Sequence, residues 1–556
     1  MSAYLYNVYL HCKDYLSVSV SIKITISAEA YMTDFDAIVI GAGNAGLTAA
    51  TALQRGGART LLLERHNIPG GCATSFIRGE FEFEVALHQL SGMGTEKNPF
   101  IMRKIFTDLG IMDQLNIVEE RELYRVVMPS KENSQHEIDV TLPASIKALK
   151  KVLSAHYPDE SDSIEAYLTL CEKLSLECFM MLPRAQKMND EAVLASTCPN
   201  YIKYGLTPSK DVLNEFFDNK DLKAVIAAYW CYIGLPPKDI PFCDLAVMIY
   251  AYAAFKPCHV QGGSQAISSA LLESFLAAGG KVLFNTGATK IITDNEQVKA
   301  VQTEHGDVFS CEYVISNTSP QHTFNELLDI PTPKQVVNDM KSRRLGTSAF
   351  VLYLGLDCTP AELGVTAASN FIIDDRDEEV AFETMQGISD PTHTMMTCYN
   401  HDDPTFAPEG KSSLSLLCLQ YSQAWEDLPV EEYAQAKYDF AEKLIDHAER
   451  VFPNIRKNIE EVEVATPLTM MRYLNTPGGA IYGFQQNTQD AAMFRERINA
   501  IEGLHMAGCW NGMGGFQPTY MIGESTARAI LKKHKKKIEK QENKTAETKH
   551  QELSNA

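Results

Sequence analysis

Gly41, Gly43 and Gly46 stand at G-x-G-x-x-G spacing, and Glu64 follows about 20 residues later. Residues of these types at this spacing bind a dinucleotide. The first glycine allows a tight turn, the second lets the backbone approach a pyrophosphate, and the third lets a helix pack close on a strand. The free N–H groups and positive dipole of that helix face the phosphates. Glu64 can accept hydrogen bonds from ribose hydroxyls. Asn44 and Ala45, inside the motif, and Arg65, next to the acid, belong to the same candidate set.

These residues need a strand, a turn, a helix and a second strand to bring them together. Residues 37–40 are apolar and read as a short strand, 47–55 read as helix, and 60–63 read as a second strand ending at Glu64. The competing reading is a Gly-rich turn with no ligand, and the surrounding elements speak for the nucleotide. The motif alone does not choose between NAD and FAD.

The chain has 556 residues, enough for two or more domains with large cores. Hydrophobic residues make up 45% and charged residues 22%, an ordinary globular balance. The formal net charge of −21 argues against a broad nucleic-acid-binding face and against an anionic membrane. The 13 cysteines form no C-x-x-C pair and no disulfide framework, which fits a reducing, cytoplasmic setting. No Cys/His cluster has zinc spacing, so no metal is expected. Residues 1–31 lack the layout of a signal peptide. They read as a disordered extension, or as an added strand where 16–26 alternate. No window reaches the ~18–20 apolar residues of a membrane span. The nearest, 245–255, reads as a buried helix or a pocket wall.

Along the chain, Pro69-Gly70-Gly71-Cys72 opens a loop region, 98–118 read as an amphipathic helix, and 120–142 as strands. From 145 to about 228 the pattern is helical. A helix over 266–278 then feeds short strands at 281–284, 288–292, 298–301 and 313–316. Further on, 347–356 and 414–419 read as strands and 431–451 as a long helix. The last block runs from Gly503 through Gly512-Met-Gly-Gly515 into a helix over 519–533, followed by a Lys- and Glu-rich tail expected to fray and become disordered.

Together these blocks resemble the FAD-dependent phytoene desaturase, carotenoid isomerase and retinol saturase family, a branch of the amine-oxidase-like flavoproteins. The matching pieces include residues 36–46 with Glu64, Pro69-Gly70-Gly71 with 81–88, Gly262-Gly263, 281–301, Ser316-Asn317, 477–483 and 504–515. The resemblance implies an α/β fold: a Rossmann-like FAD-binding domain in discontinuous segments, interleaved with an α+β substrate-binding domain. The boundaries that follow are an extension over 1–31, FAD segments at 32–95, 246–325 and 466–533, substrate segments at 96–245 and 326–465, and a tail over 534–556. It places Gly41, Gly43 and Gly46 at the pyrophosphate of an extended FAD, and Glu64 at the adenosine ribose. Gly70 and Gly71 fall on the phosphate and flavin side, and Ala288 at adenine. Gly508 falls near the ribityl chain, with Gly514, Gly515 and Phe516 toward the flavin ring. Glu84, Ala86 and Cys72 depart from residues common in relatives, which bears on substrate more than on FAD.

A flavin supplies the redox chemistry, while the protein orients the substrate and excludes water. His88 is the candidate for a proton donor or acceptor beside the flavin, against the reading of a satisfied structural histidine. Tyr482 is a second catalytic candidate, against simple packing. The stretches 178–182 and 249–255 read as apolar pocket walls or as ordinary core. Arg472 could hold a charged head group or sit in a surface pair. Cys72 and Cys509 lie near the expected flavin without a disulfide pattern. The basic run 532–537 could touch anionic lipid or be a solvated tail.

The expected activity is that of an FAD-dependent oxidoreductase on carbon–carbon bonds of a long apolar polyene or isoprenoid lipid, by saturation, desaturation or cis–trans isomerisation. NAD(P)H or a quinone would be the electron partner. A lipid substrate admits peripheral membrane contact, and oligomeric state is left open. The alternatives are an amine or fatty-acid oxidoreductase or isomerase on the same scaffold, or a flavin-binding protein without turnover.

Overall fold

The computed structural model describes residues 34–130, 136–182, 190–489 and 500–554. The expectations for 1–31, including a strand over 16–26, lie outside the described residues.

The glycine motif sits in a five-stranded parallel sheet. Its order is Leu504–Met506, Tyr313–Ser316, Ala37–Ile40, Thr60–Leu63 and Lys281–Leu283. Strands far apart in sequence are therefore neighbours. The central strand is buried on both faces, as a parallel strand should be. Ala37 and Val39 pack with Leu47, Leu53, Leu271 and Ala527 from three helices. Ile38 and Ile40 pack on the other side with Ile291, Val298 and Val301. The last three belong to an antiparallel sheet of Ala288–Asp294, Gln297–Thr303 and Val308–Ser310.

A second, seven-stranded sheet has the order Ile459–Ala465, Ser348–Leu356, Ser412–Gln420, His393–Cys398, Ser369–Ile373, Glu122–Pro129 and His136–Pro143. Its strands pair antiparallel except Ser369–Ile373 with Glu122–Pro129. Alternation divides its side chains. Phe350, Leu352 and Leu354 meet Phe440 and Leu444 of the helix Val430–Glu449. Ala349, Val351, Leu417 and Leu419 face the helical part of the chain. There the helices Ser161–Leu176 and Phe242–Phe255 form a roof over the sheet.

Two expectations need correction. The helix expected over 98–118 covers only Ile101–Asp108. Gly110, at φ +71°, turns the chain, and Ile117–Glu119 pairs as a strand with Cys258–Val260. The tail expected to become disordered after Leu531 instead continues the helix Phe516–Ser554. Its Lys, Glu, Gln and Ala are strong helix formers, so the helix outlasts the apolar periodicity that marks a packed face. Part of the basic run is also tied down: Lys537 pairs with Glu312 at 2.7 Å. Among the described residues no helix is long and apolar enough to cross a membrane, and no group of three His, Cys, Asp or Glu could hold a metal.

Candidate active site

The turn after Ala37–Ile40 starts the helix Asn44–Arg55, whose N-cap Gly43 has no side-chain cap. Its first N–H groups are left for a ligand. Gly41 takes φ +93°, a conformation that favours glycine. Gly46 is set against the strand: a Cβ there would lie 1.9 Å from the Gly41 carbonyl oxygen. Gly70 bridges to Gly43, and a Cβ on Gly71 would come within 3.3 Å of the Gly43 Cα. Three glycines thus leave a groove with bare backbone walls. Asn317, at the end of Tyr313–Ser316, closes it from the side. Its amide lies 3.4 Å from the Gly41 carbonyl oxygen, and a Cβ on Gly508 would meet its Oδ1 at 2.5 Å.

Glu64 accepts hydrogen bonds from the backbone N–H of Ala42 at 2.7 Å and of His66 at 2.8 Å. Its carboxylate is thereby fixed at the end of Thr60–Leu63, beside the turn. Arg65 donates to the carbonyls of Arg472 and Tyr473, at the C-terminus of the helix Pro467–Leu474.

A single cavity of about 700 Å³ runs from this groove to the space between the seven-stranded sheet and the helical roof. Of the residues singled out in the sequence, Gly41, Gly43, Asn44, Ala45, Glu64, Arg65, Gly70, Gly71, His88, Ala288, Tyr482, Gly508, Gly514, Gly515 and Phe516 line it. Gly46 lies behind the wall, and Arg472 is exposed outside it. Cys72 and Cys509 also line it. Burial pushes their thiols up to about 11 and about 12, so neither is a ready thiolate. The far end is apolar, with Val247, Met248, Ala251, Val351 and Leu417 among its walls.

His88 is held where these two ends meet. Nδ1 lies 3.0 Å from the Thr397 Oγ1 and 3.3 Å from the Tyr399 hydroxyl, and the ring stacks on Tyr232. Burial pushes its pKa down to about 4, so the ring is neutral near pH 7. A neutral imidazole can accept a proton or hold a hydrogen bond; it is no stored acid. Tyr482 lies on the segment that packs against Gly514, and burial raises its pKa, so it remains a phenol.

The turn carrying His88 is pinned by Glu84. This buried carboxyl accepts from Ser264 N and Oγ, both at 2.7 Å, from Leu87 N at 3.0 Å and from Ala86 N at 3.2 Å. It joins the start of the helix Gly263–Ala277 to the cavity wall. Burial raises its pKa, and those four hydrogen bonds work in the opposite sense. Glu84→Gln turns one acceptor into a donor facing other donors. The expected loss is about 2 kcal/mol of stability, read from urea unfolding midpoints.

Sequence reasoning passed over Asn317 as a groove wall, and over Asp244, a buried carboxyl lining the apolar end. Asn44 Oδ1 and Gln486 Oε1 line the same cavity, buried and without a partner among the described residues. Orphaned polar atoms of this kind, beside bare glycine backbone, fit a polar dinucleotide in the groove.

The comparisons agree with this geometry. The family model described as flavin containing amine oxidoreductase matches residues 44–531. An all-trans-retinol 13,14-reductase of Danio rerio is 27% identical over 482 residues, covering 81% of this chain and 77% of the relative. An inactive all-trans-retinol 13,14-reductase of the same organism is 26% identical, covering 79% and 75%. A chloroplastic prolycopene isomerase 1 of an Oncidium hybrid cultivar is 26% identical, covering 86% and 81%. Among solved structures, a putrescine oxidase triple mutant superposes with a TM-score of 0.60 at 15% identity, covering 90% of this chain and 99% of that one. Cyclohexylamine oxidase from Brevibacterium oxydans gives 0.56 at 14% identity, covering 90% and 100%. These likenesses show the fold. The chain belongs to the flavin containing amine oxidoreductase family, as a flavin-containing oxidoreductase of the branch that holds retinol saturases and prolycopene isomerases.

Proposed function

We propose that the protein binds FAD along this cavity and acts on a carbon–carbon bond of a long apolar polyene or isoprenoid, by saturation or isomerisation. The observation that carries the reading is the continuity of one cavity from a bare glycine groove to an apolar chamber. In this reading Gly41, Gly43, Gly70 and Gly71 make room for the pyrophosphate, and Asn44 and Ala45 offer helix N-terminal N–H groups. Glu64 takes the ribose hydroxyls and Ala288 borders the adenine. Gly508, Gly515 and Phe516 approach the ribityl chain and ring.

A bound flavin supplies hydride exchange with carbon. The chain's own residues do the rest. Val247, Met248, Ala251 and Val351 exclude water and grip a substrate that has no charge to hold. Saturating a double bond adds one hydride and one proton. The Tyr482 phenol holds a proton at the cavity wall, and neutral His88 orients through Thr397 and Tyr399. Isomerisation needs no net proton, so these residues then serve shape and polarity. A fatty-acid substrate would call for a positively charged residue in the chamber to hold its carboxylate. Arg472, the candidate for that role, lies outside the cavity.

The test is a visible spectrum followed by anaerobic photoreduction with retinoids, carotenoids and small amines, and chromatography of the products. Flavin bands and a change in double-bond number or geometry are expected, with NAD(P)H and a quinone compared as electron partners. Reduction of the oxidised flavin by small amines, with no retinoid or carotenoid converted, would overturn the lipid reading. Stoichiometric flavin with no product from any substrate would favour a binding protein.

A further inference from the structure

We infer that Asp244 anchors the hydroxyl end of an elongated apolar substrate and so sets the reacting bond well inside the chain, away from the polar end. The inference rests on the lipid reading above and gives it a substrate class.

Asp244 lies in the first turn of the helix Phe242–Phe255. It is 5% exposed, and its side chain borders the cavity. Among the described residues that side chain takes one hydrogen bond, from the Cys243 thiol at 3.5 Å, and pairs with no cation. An acid early in a helix often serves the helix dipole from the surface. This one faces an apolar chamber instead, where a lone carboxyl is costly unless a ligand completes its hydrogen bonding. Burial accordingly pushes it up to about 7.

The helix also supplies a ruler. Asp244, Val247, Met248, Ala251 and Tyr252 all border the cavity, at the spacing of one helix face. Tyr252 donates to the Gln89 carbonyl at 3.3 Å, next to His88. Ser91 then ties this segment to Gln517, at the start of the last helix, at 2.6 Å. Tyr252 therefore marks the proposed flavin end. Asp244 lies eight residues back, about 12 Å along the axis. That separation puts Asp244 too far from the reaction centre for a general acid and suits an anchor.

The chemistry selects an alcohol. A hydroxyl has one proton and two lone pairs: an ionised Asp244 accepts from that proton, and a protonated Asp244 can also donate to a lone pair. An ammonium brings three protons and a charge. Cys178, Phe179, Val247 and Met248 around the chamber offer it no further strong acceptor. A pure hydrocarbon leaves the carboxyl unpaired.

The test is equilibrium dialysis of the flavin-loaded protein with radiolabelled geranylgeraniol, the hydrocarbon of the same skeleton and geranylgeranylamine. No turnover is needed. The alcohol is expected to bind the wild type at least about tenfold tighter than the hydrocarbon. Asp244→Leu should reverse that order, and Asp244→Asn should keep part of it. Equal binding of alcohol and hydrocarbon by the wild type overturns the Asp244 anchor and leaves the lipid reading standing. Tighter binding of the amine also overturns it. Binding of none of the three overturns both. The wild-type comparison decides even where a variant fails to fold.

Discussion

Gly43→Asp is expected to yield a folded protein that purifies without flavin colour. Gly43 has φ −74° and ψ 178°, a conformation open to any L-residue. A Cβ there meets the Asn317 amide at 3.0 Å and the Gly70 carbonyl at 3.8 Å, so a side-chain shift of a few tenths of an ångström accommodates it. The added carboxylate then occupies the groove in front of free N–H groups, where a pyrophosphate would lie, and repels its charge. Gly46→Ala makes the useful contrast. Its Cβ would stand 1.9 Å from the Gly41 carbonyl oxygen, and that atom belongs to backbone. The helix must move off the strand, so loss of fold is expected along with loss of colour. The measurements are visible absorbance per folded protein, circular dichroism and the melting temperature. Full flavin occupancy in folded Gly43→Asp would remove the groove from the cofactor site.

The contrast also explains what could be read from the sequence. Ala37, Ile38, Val39 and Ile40 alternate between two cores, yet all are apolar, and a continuous apolar run is what a doubly covered parallel strand needs. Glycine spacing encodes local geometry, so the turn was legible over six residues. Asn317 was not legible as a wall, because its place against Gly41 depends on a strand pairing 276 residues away in the chain. A lone Asn in a turn carries no periodic signal. Asp244 had a faint one: it is an acid in the otherwise apolar run Phe242–Phe255. First-turn acids are so common on helix dipoles that position alone hides a buried one. The helix over 98–118 failed for a related reason. Its apolar pattern continues past Gly110, but Ile117 follows a strand partner, Val260, that only the fold supplies.

Distance in sequence also separates what holds the chamber together. Its floor comes from Ser348–Leu356 and Ser412–Gln420, and its roof from Phe242–Phe255. Each reads as apolar on its own. His88 spans the gap at one end of the hollow between them, bonded to Thr397 of the sheet and stacked on Tyr232. Tyr232, Tyr229 and Tyr252 stack beside His88 and fill the junction between chamber and groove. A large aromatic wall of this type excludes water while keeping hydroxyls available for hydrogen bonds.

His88 is the member of that wall whose protonation has consequences. Its pKa is pushed down to about 4 by burial, against an ordinary value of 6.5. Between those values the unfolded chain binds a proton that the folded chain refuses, so stability rises with pH. The contribution is fully present above pH 6.5 and is lost as the pH falls toward 4. Tyr399 and Tyr232, which touch the ring, have pKa values raised by burial and stay neutral throughout this window. Groups such as Asp244 titrate there too, so the total curve mixes several signs. The difference between wild type and His88→Gln isolates this ring. Glutamine keeps a polar head for Thr397 and Tyr399 but cannot protonate. From pH 7 to pH 4, the wild type is expected to lose about 3 kcal/mol more stability than His88→Gln. Urea unfolding at several pH values measures it. Parallel curves for the two proteins would mean that His88 protonates freely in the folded state, and would return it to the role of a proton donor beside the reacting carbon.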